Sequence, residues 1–451
     1  MSRQATFQSG TYDSARFFLA LKVSLGQLCA CALLIGCACA LAEEEHTEEH
    51  ADSRRHHHPP RDGEAQVEAP DYWSGEHLSG DWNGARRWAR ERGLDFEIVY
   101  TGEVMNLTRG GRNTRGATEY TGTPDVIAEL HPEKMGGWSG GTFYFWFTNI
   151  HGAGLTERHL GDFQTISNLE VEPFTTLYEY WYKHELWDGR FWIKAGKFDA
   201  NTDFAASDYG GEFIHSSFGY PPSIVFGTYP DTGVGVQAGY RINDWAYVQA
   251  MLQDGAPNAD SVSGLEPMFD GEGGHVSIFE FHFTPPQLPE KLPGTYRFGV
   301  WHHTGDFEEI NVDRDPPEEV SSGYGLYAIF DQRLFKERED PADEQGLGMF
   351  FQYAWAPQDR SEAQHYLGAG LVYRGAIPGR DEDVAGAGVA HVRFSNRLNE
   401  TRAVYETALE FFYRVQVTPF LWLQPQLSYV DNPSGTGRDG LAAGLRFEVN
   451  F

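Results

Sequence analysis

The chain has 451 residues and a formal charge of −30, from 35 Lys and Arg against 65 Asp and Glu. This length allows one large barrel or two to three ordinary domains. The acidity disfavours nucleic acid as a partner, because a phosphate backbone binds basic surfaces, and it also disfavours an anion-selective pore. The 51 glycines and 14% aromatic residues, beside only 6 methionines, favour a β protein with many turns.

All cysteines lie in one apolar segment near the N-terminus, and they are Cys29, Cys31, Cys37 and Cys39. Basic residues precede this segment, and it ends at Ala40-Leu41-Ala42 before three glutamates. The layout predicts a secretory signal over residues 1–42, with an uncleaved anchor and a lipoprotein signal at Cys37 as alternatives. If cleavage follows Ala42, the mature chain has no cysteine and no disulfide. No later apolar run of about 18 residues predicts a helical membrane span.

Two short segments follow the signal. Residues 43–71 are charged, rich in histidine and poor in apolar residues, so a disordered linker is predicted. Its histidines could instead bind a transition metal loosely, although nothing in the segment would fix a coordination geometry. Residues 72–93 predict a short basic helix that Asp81 caps, that carries Arg86 and Arg87, and that Gly93 ends. Such a helix could lie at the mouth of a barrel or on the surface of a globular domain.

From Leu94 onward the chain is a series of segments in which apolar residues recur at every second position. This is the period of a strand with one apolar and one polar face, and it excludes a helix. The apolar faces include Phe96, Ile98, Tyr100 and Val104; Tyr178, Tyr180 and Tyr182; Tyr296, Phe298 and Val300; Leu367, Ala369, Leu371 and Tyr373; Tyr405, Leu409, Phe411 and Tyr413; and Leu421, Leu423 and Leu427. The opposite faces mix charge, amide and tryptophan.

The last twelve residues, 440–451, follow the same pattern and end on Phe451. Leu445 and Val449 are apolar, while Arg446 and Glu448 between them are charged. A membrane barrel uses its last strand to close the ring, so this terminus fits such a barrel. The C-terminal strand of a secreted β-sandwich would show the same local pattern.

Gly, Pro, Asn and Asp mark the turns between segments, as at 187–190, 242–244 and 418–419. With these turns as boundaries, about sixteen segments fit between residues 95 and 451. The longest connections, 199–230, 254–274 and 304–320, are predicted to be external or infolded loops. The predicted fold is therefore all-β: a closed antiparallel transmembrane barrel of about 16 strands over 94–451, with a short N-terminal helix.

Several stretches of the chain resemble the carbohydrate-selective porins of Gram-negative outer membranes, the OprB-like family. They are residues 80–86 (Gly-Asp-Trp-Asn-Gly-Ala-Arg), 179–219, 366–384 and 417–435, and the similarity spans about 72–451. One departure is Asn83, where the family motif usually has a second glycine.

The resemblance implies a sixteen-stranded outer-membrane barrel, with the helix near its periplasmic mouth and infolded loops that narrow the pore. It also implies passive, selective diffusion of sugars, chiefly monosaccharides such as glucose, without cofactor, metal or catalysis. The implied partners besides sugars are outer-membrane lipid and the assembly machinery, which reads the terminal Phe451. The resemblance leaves open whether the chain is a monomer or a trimer.

The inward faces carry the three kinds of group that suit a hexose. Carboxylates accept from its hydroxyls, Arg and Lys donate to them, and tryptophan covers a C–H face. The candidate pore-lining residues on the strands are Glu179, Trp181, Lys183, Trp192, Lys194, Arg297, Trp301, Arg374, Glu406, Glu410, Arg414 and Trp422. For the constriction, the resemblance favours Asp208 and Glu212 in a loop and Arg86 and Arg87 in the helix. Mixed charges also brace the wall of a large barrel, and about half of these residues are expected to do only that.

Three other functions stay open from the residues alone. A porin for other small solutes, cations among them, would differ only in the detail of its lumen. A secreted carbohydrate-binding β protein could use the same aromatic residues and carboxylates, but it would not need an outward aromatic face on every strand. An outer-membrane hydrolase would need a catalytic set, and no Gly-x-Ser-x-Gly context isolates one.

Overall fold

The computed structural model describes residues 75–258, 264–265, 273–285, 292–311, 318–338, 343–398 and 404–451. The predicted signal, the His-rich linker and the first residues of 72–93 therefore lie outside the described residues. Within the described part, no helix is long and apolar enough to cross a membrane.

The predicted basic helix is present, and it begins with a kinked turn. A 3-10 turn at Trp82–Gly84 leads into helix α1 at Ala85–Glu91. The carboxylate of Asp81 stabilises this start by accepting a hydrogen bond from the backbone N–H of Arg87 at 3.0 Å. Asn83 has φ 55° and ψ 35°, in the left-handed region that favours glycine and that asparagine tolerates better than most residues. This conformation explains how asparagine can stand where the family motif usually has glycine.

The barrel is built from sixteen strands within the described residues. They are β1 (Leu94–Arg109), β2 (Thr118–Leu130), β3 (Gly141–Gly152), β4 (Phe174–Leu186), β5 (Phe191–Phe198), β6 (Gly233–Asn243), β7 (Ala246–Asp254), β8 (His275–Phe283), β9 (Gly294–Glu308), β10 (Glu319–Lys336), β11 (Gly346–Trp355), β12 (Ala363–Arg374), β13 (Val384–Phe394), β14 (Tyr405–Thr418), β15 (Leu421–Asp431) and β16 (Gly440–Asn450). Short helical turns lie in the loops at Thr156–Leu160, Ala200–Thr202, Gly210–Glu212, Ser216–Gly219 (α2) and Pro433–Gly435.

Each strand pairs antiparallel with its neighbours in sequence, and β1 pairs with β16 to close the sheet. At this seam Thr101 lies opposite Glu448, and the N–H of Phe451 donates to the carbonyl of Ile98 at 2.8 Å. Closure leaves the sheet without a free edge, so its backbone groups find partners within the sheet. The predicted closed sixteen-strand barrel and the closing role of the last strand are confirmed.

The predicted division into an apolar outer face and a polar inner face is also confirmed, and β14 shows it clearly. Phe411 is 53% exposed on the outer face, whereas Glu406 and Glu410 on the inner face are fully buried. The same alternation puts Leu445 outside and Arg446 inside on β16. The alternation of side chains along each strand therefore predicts which of them face lipid and which face the lumen.

Tyr178 departs from this alternation. The period predicts it on the apolar outer face, but its hydroxyl donates to Asp199 at 2.5 Å inside the barrel. In the pairing of β3 with β4, Trp146 lies opposite Glu179 and the next residue of β3 lies opposite Leu177, so Tyr178 is an extra residue. Such a β-bulge turns two consecutive side chains to one face, which alternation in the sequence does not reveal.

The connections at the two ends of the barrel differ in length. The end that carries the C-terminus has tight turns such as 187–190, 244–245 and 419–420, and the other end has the long loops 153–173 and 199–232. Because such barrels have short periplasmic turns and longer extracellular loops, the long loops are on the extracellular side. The long 199–230 loop is confirmed, whereas the predicted 304–320 loop is shorter than expected, since β9 continues to Glu308 and β10 begins at Glu319. The 153–173 loop was not among the predicted long loops.

Candidate functional site

The β5–β6 connection, residues 199–232, folds into the barrel and is held there by buried carboxylates of the wall. Glu280 accepts from the N–H of Ala205 (2.9 Å), Asp331 from the hydroxyl of Ser207 (2.8 Å), and Glu410 from the N–H groups of Ile214 and His215 (3.0 and 2.8 Å). Burying a carboxylate is costly unless it accepts strong hydrogen bonds. Each carboxylate therefore fixes the position of the loop, and the loop in turn donates the hydrogen bonds that the buried carboxylate requires.

Neutral side chains of the wall hold the same loop by its carbonyl groups. Gln249 donates to the carbonyl of Asp203 (2.6 Å), Gln352 to that of Phe218 (2.7 Å), Tyr366 to that of Ser217 (2.6 Å) and Gln424 to that of Glu212 (3.0 Å). These anchors lie on strands from β7 to β15. The loop thus crosses the lumen, as predicted for an infolded loop.

The β3–β4 loop, residues 153–173, adds to the narrowing. Glu406 accepts from the N–H of Phe163 at 2.7 Å, and Arg446 donates to the side-chain carbonyl of Asn168 at 2.7 Å. The two infolded loops also bond to each other, because the N–H of Asn168 donates to the carbonyl of Ile214 at 2.8 Å. Together they form one layer across the barrel.

A cavity of about 680 Å³ stays open between this layer and the wall formed by β1–β4 and β14–β16. Its size is within the range of small-molecule sites. It is lined by the carboxylates Glu97, Asp125, Asp199, Glu212 and Glu448, the guanidinium groups of Arg414 and Arg446, the hydroxyls of Thr101, Thr123 and Thr148, and the rings of Trp146, Tyr178, Tyr220, Tyr229 and Trp422. Acceptors, donors and flat apolar rings therefore face one open space.

Trp422 illustrates how these groups are combined. Its indole N–H donates to Glu448 at 3.1 Å, which fixes the ring, and the guanidinium of Arg414 lies 5.5 Å from the ring centroid. A cation at this distance is attracted to the face of an indole ring. Carboxylate, guanidinium and indole are thus held together at the cavity wall.

Glu212 lies between this cavity and a second one of about 430 Å³. It forms ion pairs with Arg414 at 2.5 Å and with Arg374 at 3.7 Å. The second cavity is lined by Glu212, Arg374, Asp208 and Arg333, among others. Glu212 belongs to the infolded loop, and both arginines belong to the wall. These three side chains therefore determine the local charge where the loop borders the two cavities.

Other predicted pore-lining residues are engaged in the wall. Glu179 accepts a hydrogen bond from the indole N–H of Trp181 (2.7 Å), and Trp301 is only 3% exposed. Lys194 pairs with Asp203 (2.5 Å), and Arg297 pairs with Asp331 (2.7 Å) and Asp208 (3.3 Å). Lys183 pairs with Glu185 (2.8 Å), and its ammonium group lies 5.1 Å from the ring centroid of Trp192. These contacts are of the bracing kind that was expected for part of the set.

Arg86 and Arg87 belong to a separate compact unit, residues 81–89. Within this unit the guanidinium of Arg86 lies 4.3 Å from the ring centroid of Trp82, and Arg87 pairs with Asp81 at 3.5 Å. Their role at the constriction stays a prediction.

Two acids of the infolded β3–β4 loop are strongly affected by burial. Desolvation raises the pKa of Glu170 to about 7. It also raises the pKa of Asp162 well above its ordinary value, with a further rise from the nearby carboxylate of Glu406. Both acids therefore favour the protonated form in the folded loop more than they would in water.

Several cavity residues are absent from the predicted set, among them Asp125 and Tyr229. Asp125 had a signal in the sequence, because Thr121, Thr123 and Asp125 alternate along β2 in the manner of an inward face. Tyr229 had none, since it lies in a loop that has no period to indicate where a side chain points. The path of the loops decides which inward residues reach the cavity.

A closed sixteen-strand barrel with an apolar outer face and a polar lumen narrowed by infolded loops defines a porin. The profile of the family described as "Carbohydrate-selective porin, OprB family" matches residues 118–451. The chain belongs to this family, and it is a sugar-selective channel of the bacterial outer membrane.

Individual relatives agree with this assignment. The chain is 24% identical over 416 residues to Porin B of Pseudomonas aeruginosa, covering 83% of this chain and 91% of that protein. It is 22% identical over 435 residues to "Putative porin QuiX" of Acinetobacter baylyi, covering 86% and 97%. The high-pH structure of Pseudomonas putida OprB has a TM-score of 0.75 at 22% identity, covering 84% of this chain and 100% of that one. This last likeness shows the fold.

Proposed function

We propose that glucose and similar mono- or small oligosaccharides diffuse passively through the 680 Å³ cavity. The observation that carries this proposal is the set of groups that line it: carboxylates, guanidinium groups, hydroxyls and the half-buried ring of Trp422 around one space. Hydroxyls of a sugar both donate and accept, and the C–H faces of its ring pack on aromatic rings. Every kind of surface that a hexose offers therefore has a partner here.

Passage also requires release. Transport through a channel needs binding that is favourable enough for entry and weak enough for exit. The lining groups are spread over seven strands and two loops rather than gathered into one tight pocket. We propose that sugar moves along them through successive weak contacts, from this cavity past Glu212 to the second cavity.

A cation-preferring channel for other small solutes is the second candidate. The observation that favours it is the charge of the main cavity, which five carboxylates and two guanidinium groups line. An excess of negative charge attracts cations and repels anions. This charge and sugar passage are compatible, so the two candidates differ in whether a neutral sugar passes faster than a small cation.

Several finer points are part of the proposal. Arg86 and Arg87 contribute to the constriction, Phe451 is read by the outer-membrane assembly machinery, and outer-membrane lipid covers the outward faces. The channel works as a monomer or a trimer. It performs no catalytic step and needs no cofactor, since fold and family are those of a channel.

Liposomes that contain the purified chain test the proposal. We expect glucose to enter faster than a carboxylate sugar or an amino sugar of the same size. Faster entry of the amino sugar would favour the cation-preferring channel. Equal entry rates for glucose, the carboxylate sugar and the amino sugar would show that the chain forms a pore without selectivity for neutral sugars.

A further inference from the structure

Three polar side chains adjoin on the outer wall at the extracellular end of β12 and β13. His365 and Arg393 are directly opposite each other, and His391 follows two residues along the same face of β13. Their inward neighbours Tyr366 and Val392 are fully buried, which places the three on the outward side. We call His365, His391 and Arg393 the rim cluster.

The side chains of the rim cluster have nitrogen atoms that are free to bind a ligand. Nδ1 of His365 is 3.0 Å from the hydroxyl of Tyr353, and Nδ1 of His391 is 2.9 Å from the hydroxyl of Thr407. These bonds orient both rings, and neither Nε2 atom has a hydrogen-bond partner among the described residues. The side chain of Arg393 is exposed and forms no hydrogen bond or ion pair with a described residue.

Aromatic rings flank the rim cluster on both sides. The ring of His391 stacks on Tyr405 with centroids 5.7 Å apart and planes at 24°. On the other side the rings of Tyr353 and His365 are 6.2 Å apart. Asp431, the nearest outward carboxylate on β15, lies two strands from Arg393, opposite Thr407. The cluster is therefore a small basic site within an aromatic girdle, at the level of the lipid headgroups.

An apolar groove of about 380 Å³ runs below the rim cluster on the same strands. Small residues, Ala369, Gly370, Ala387 and Gly388, form its floor, and larger side chains such as Met349, Leu371, Leu409 and Phe411 form its sides. Ala369 is four residues along β12 from His365, or about 13 Å at the rise of a strand. The groove thus leads from the headgroup level toward the centre of the membrane.

We propose that the rim cluster and the groove together bind one phosphorylated glucosamine lipid of the lipid A type from the outer leaflet. A phosphate lies against Arg393 and the two imidazoles, a sugar ring packs against Tyr353 or Tyr405, and an acyl chain fills the groove. Guanidinium binds phosphate strongly and in a fixed geometry, because its N–H groups match the phosphate oxygens. An unpartnered guanidinium at the border of hydrocarbon is costly, and an anionic headgroup removes that cost.

Native mass spectrometry of the purified full chain in detergent tests this site, with bisphosphorylated lipid A as the probe. Arg393→Ala is expected to weaken lipid A binding about ten-fold, as for the loss of one or two charged hydrogen bonds. Arg109→Ala is the matched control, since Arg109 is an exposed arginine at the same end of β1. Its binding is expected to equal that of the wild type. Ala387→Leu, which fills the groove without a change of charge, is expected to weaken binding as well.

Heat-dependent migration on a denaturing gel confirms that each variant has folded. If Arg393→Ala does not fold, Ala387→Leu decides the outcome. Unchanged lipid A binding by the folded variants would overturn the proposal, as would equal binding of phosphatidylcholine or phosphatidylglycerol. If the substitutions dissociated copies of the chain without any effect on lipid A, the face would be a contact between copies and the proposal would be wrong.

Discussion

The two sides of the barrel interior differ in what their polar side chains bind. On β8 and β12, Glu280 and Tyr366 are fully buried and bind the infolded loop. On β2 and β15, Asp125 and Trp422 line the open cavity. Both sides carry the same period-two mixture of acid, amide and aromatic residues. The difference shows that alternation identifies the inward face, whereas the path of the loop decides which inward residues a solute can reach.

The largest effect is expected when a buried side chain that holds the infolded 199–232 loop, such as Glu280 on β8, is removed. Glu280 accepts hydrogen bonds from the N–H of Ala205, the hydroxyl of Tyr327 and the amide of Gln249 at 2.9, 2.7 and 2.9 Å. Glu280→Ala leaves these donors unpaired at a cost of about 3–5 kcal/mol. We expect faster hydrogen exchange in residues 199–232, measured by mass spectrometry, and easier passage of larger sugars.

Glu133→Ala provides the control for Glu280→Ala. Glu133 is exposed in the turn between β2 and β3, so this variant should exchange and conduct like the wild type. If Glu280→Ala left both exchange and permeation unchanged, the anchoring of the loop by buried carboxylates would be refuted.

A smaller effect is expected from pH on the β3–β4 loop. The pKa of Glu170 rises from 4.5 to about 7 on folding, because burial disfavours its charged form. The folded loop therefore binds more protons than the unfolded loop between these values, and its stability falls as pH rises from 4.5 to about 7. Hydrogen exchange in 153–173, corrected for intrinsic rates, should be faster at about pH 8 than at about pH 5.

Glu170→Gln should reduce this pH dependence, since its neutral amide cannot titrate. Glu157→Gln, at an exposed position of the same loop, should retain it. A dependence of the opposite sign, with the loop more stable at high pH, would contradict the assignment.

The charge at Glu212 should affect ions more than stability. Glu212→Gln removes one negative charge that faces Arg374 and Arg414. We expect the preference for cations over anions to fall about two-fold, because the two guanidinium groups lose their counter-charge. Reversal potentials in planar bilayers under a salt gradient measure this preference. The exposed Glu133→Gln should not change it, and an equal shift in both variants would remove the special role of Glu212.

The sequence predicted much of the fold for a simple physical reason. A barrel strand has lipid on one side and the lumen on the other, so its side chains must alternate, and closure requires a terminal strand such as 440–450. The bulge at Tyr178 escaped this reasoning, because one extra residue shifts the alternation without a distinctive residue type.

The site was predictable only in part. Glu212, Arg374, Arg414 and Trp422 do line the two cavities. Glu406 and Glu410 look the same in the sequence, yet they bind the backbone of the loops. Which partner an inward carboxylate finds depends on loop geometry, and loops have no period that fixes the direction of their side chains.

Two tryptophans test most directly whether sugar passes on the open side of the barrel. Trp422 lines the 680 Å³ cavity, whereas Trp301 faces inward on β9, is buried and does not line that cavity. The measurement is the glucose concentration that half-blocks the ion current through single channels. We expect Trp422→Ala to raise it roughly ten-fold through the loss of the ring face, and Trp301→Phe to leave it unchanged. An unchanged value for Trp422→Ala, or an equal rise in both variants, would contradict the assignment of the sugar path.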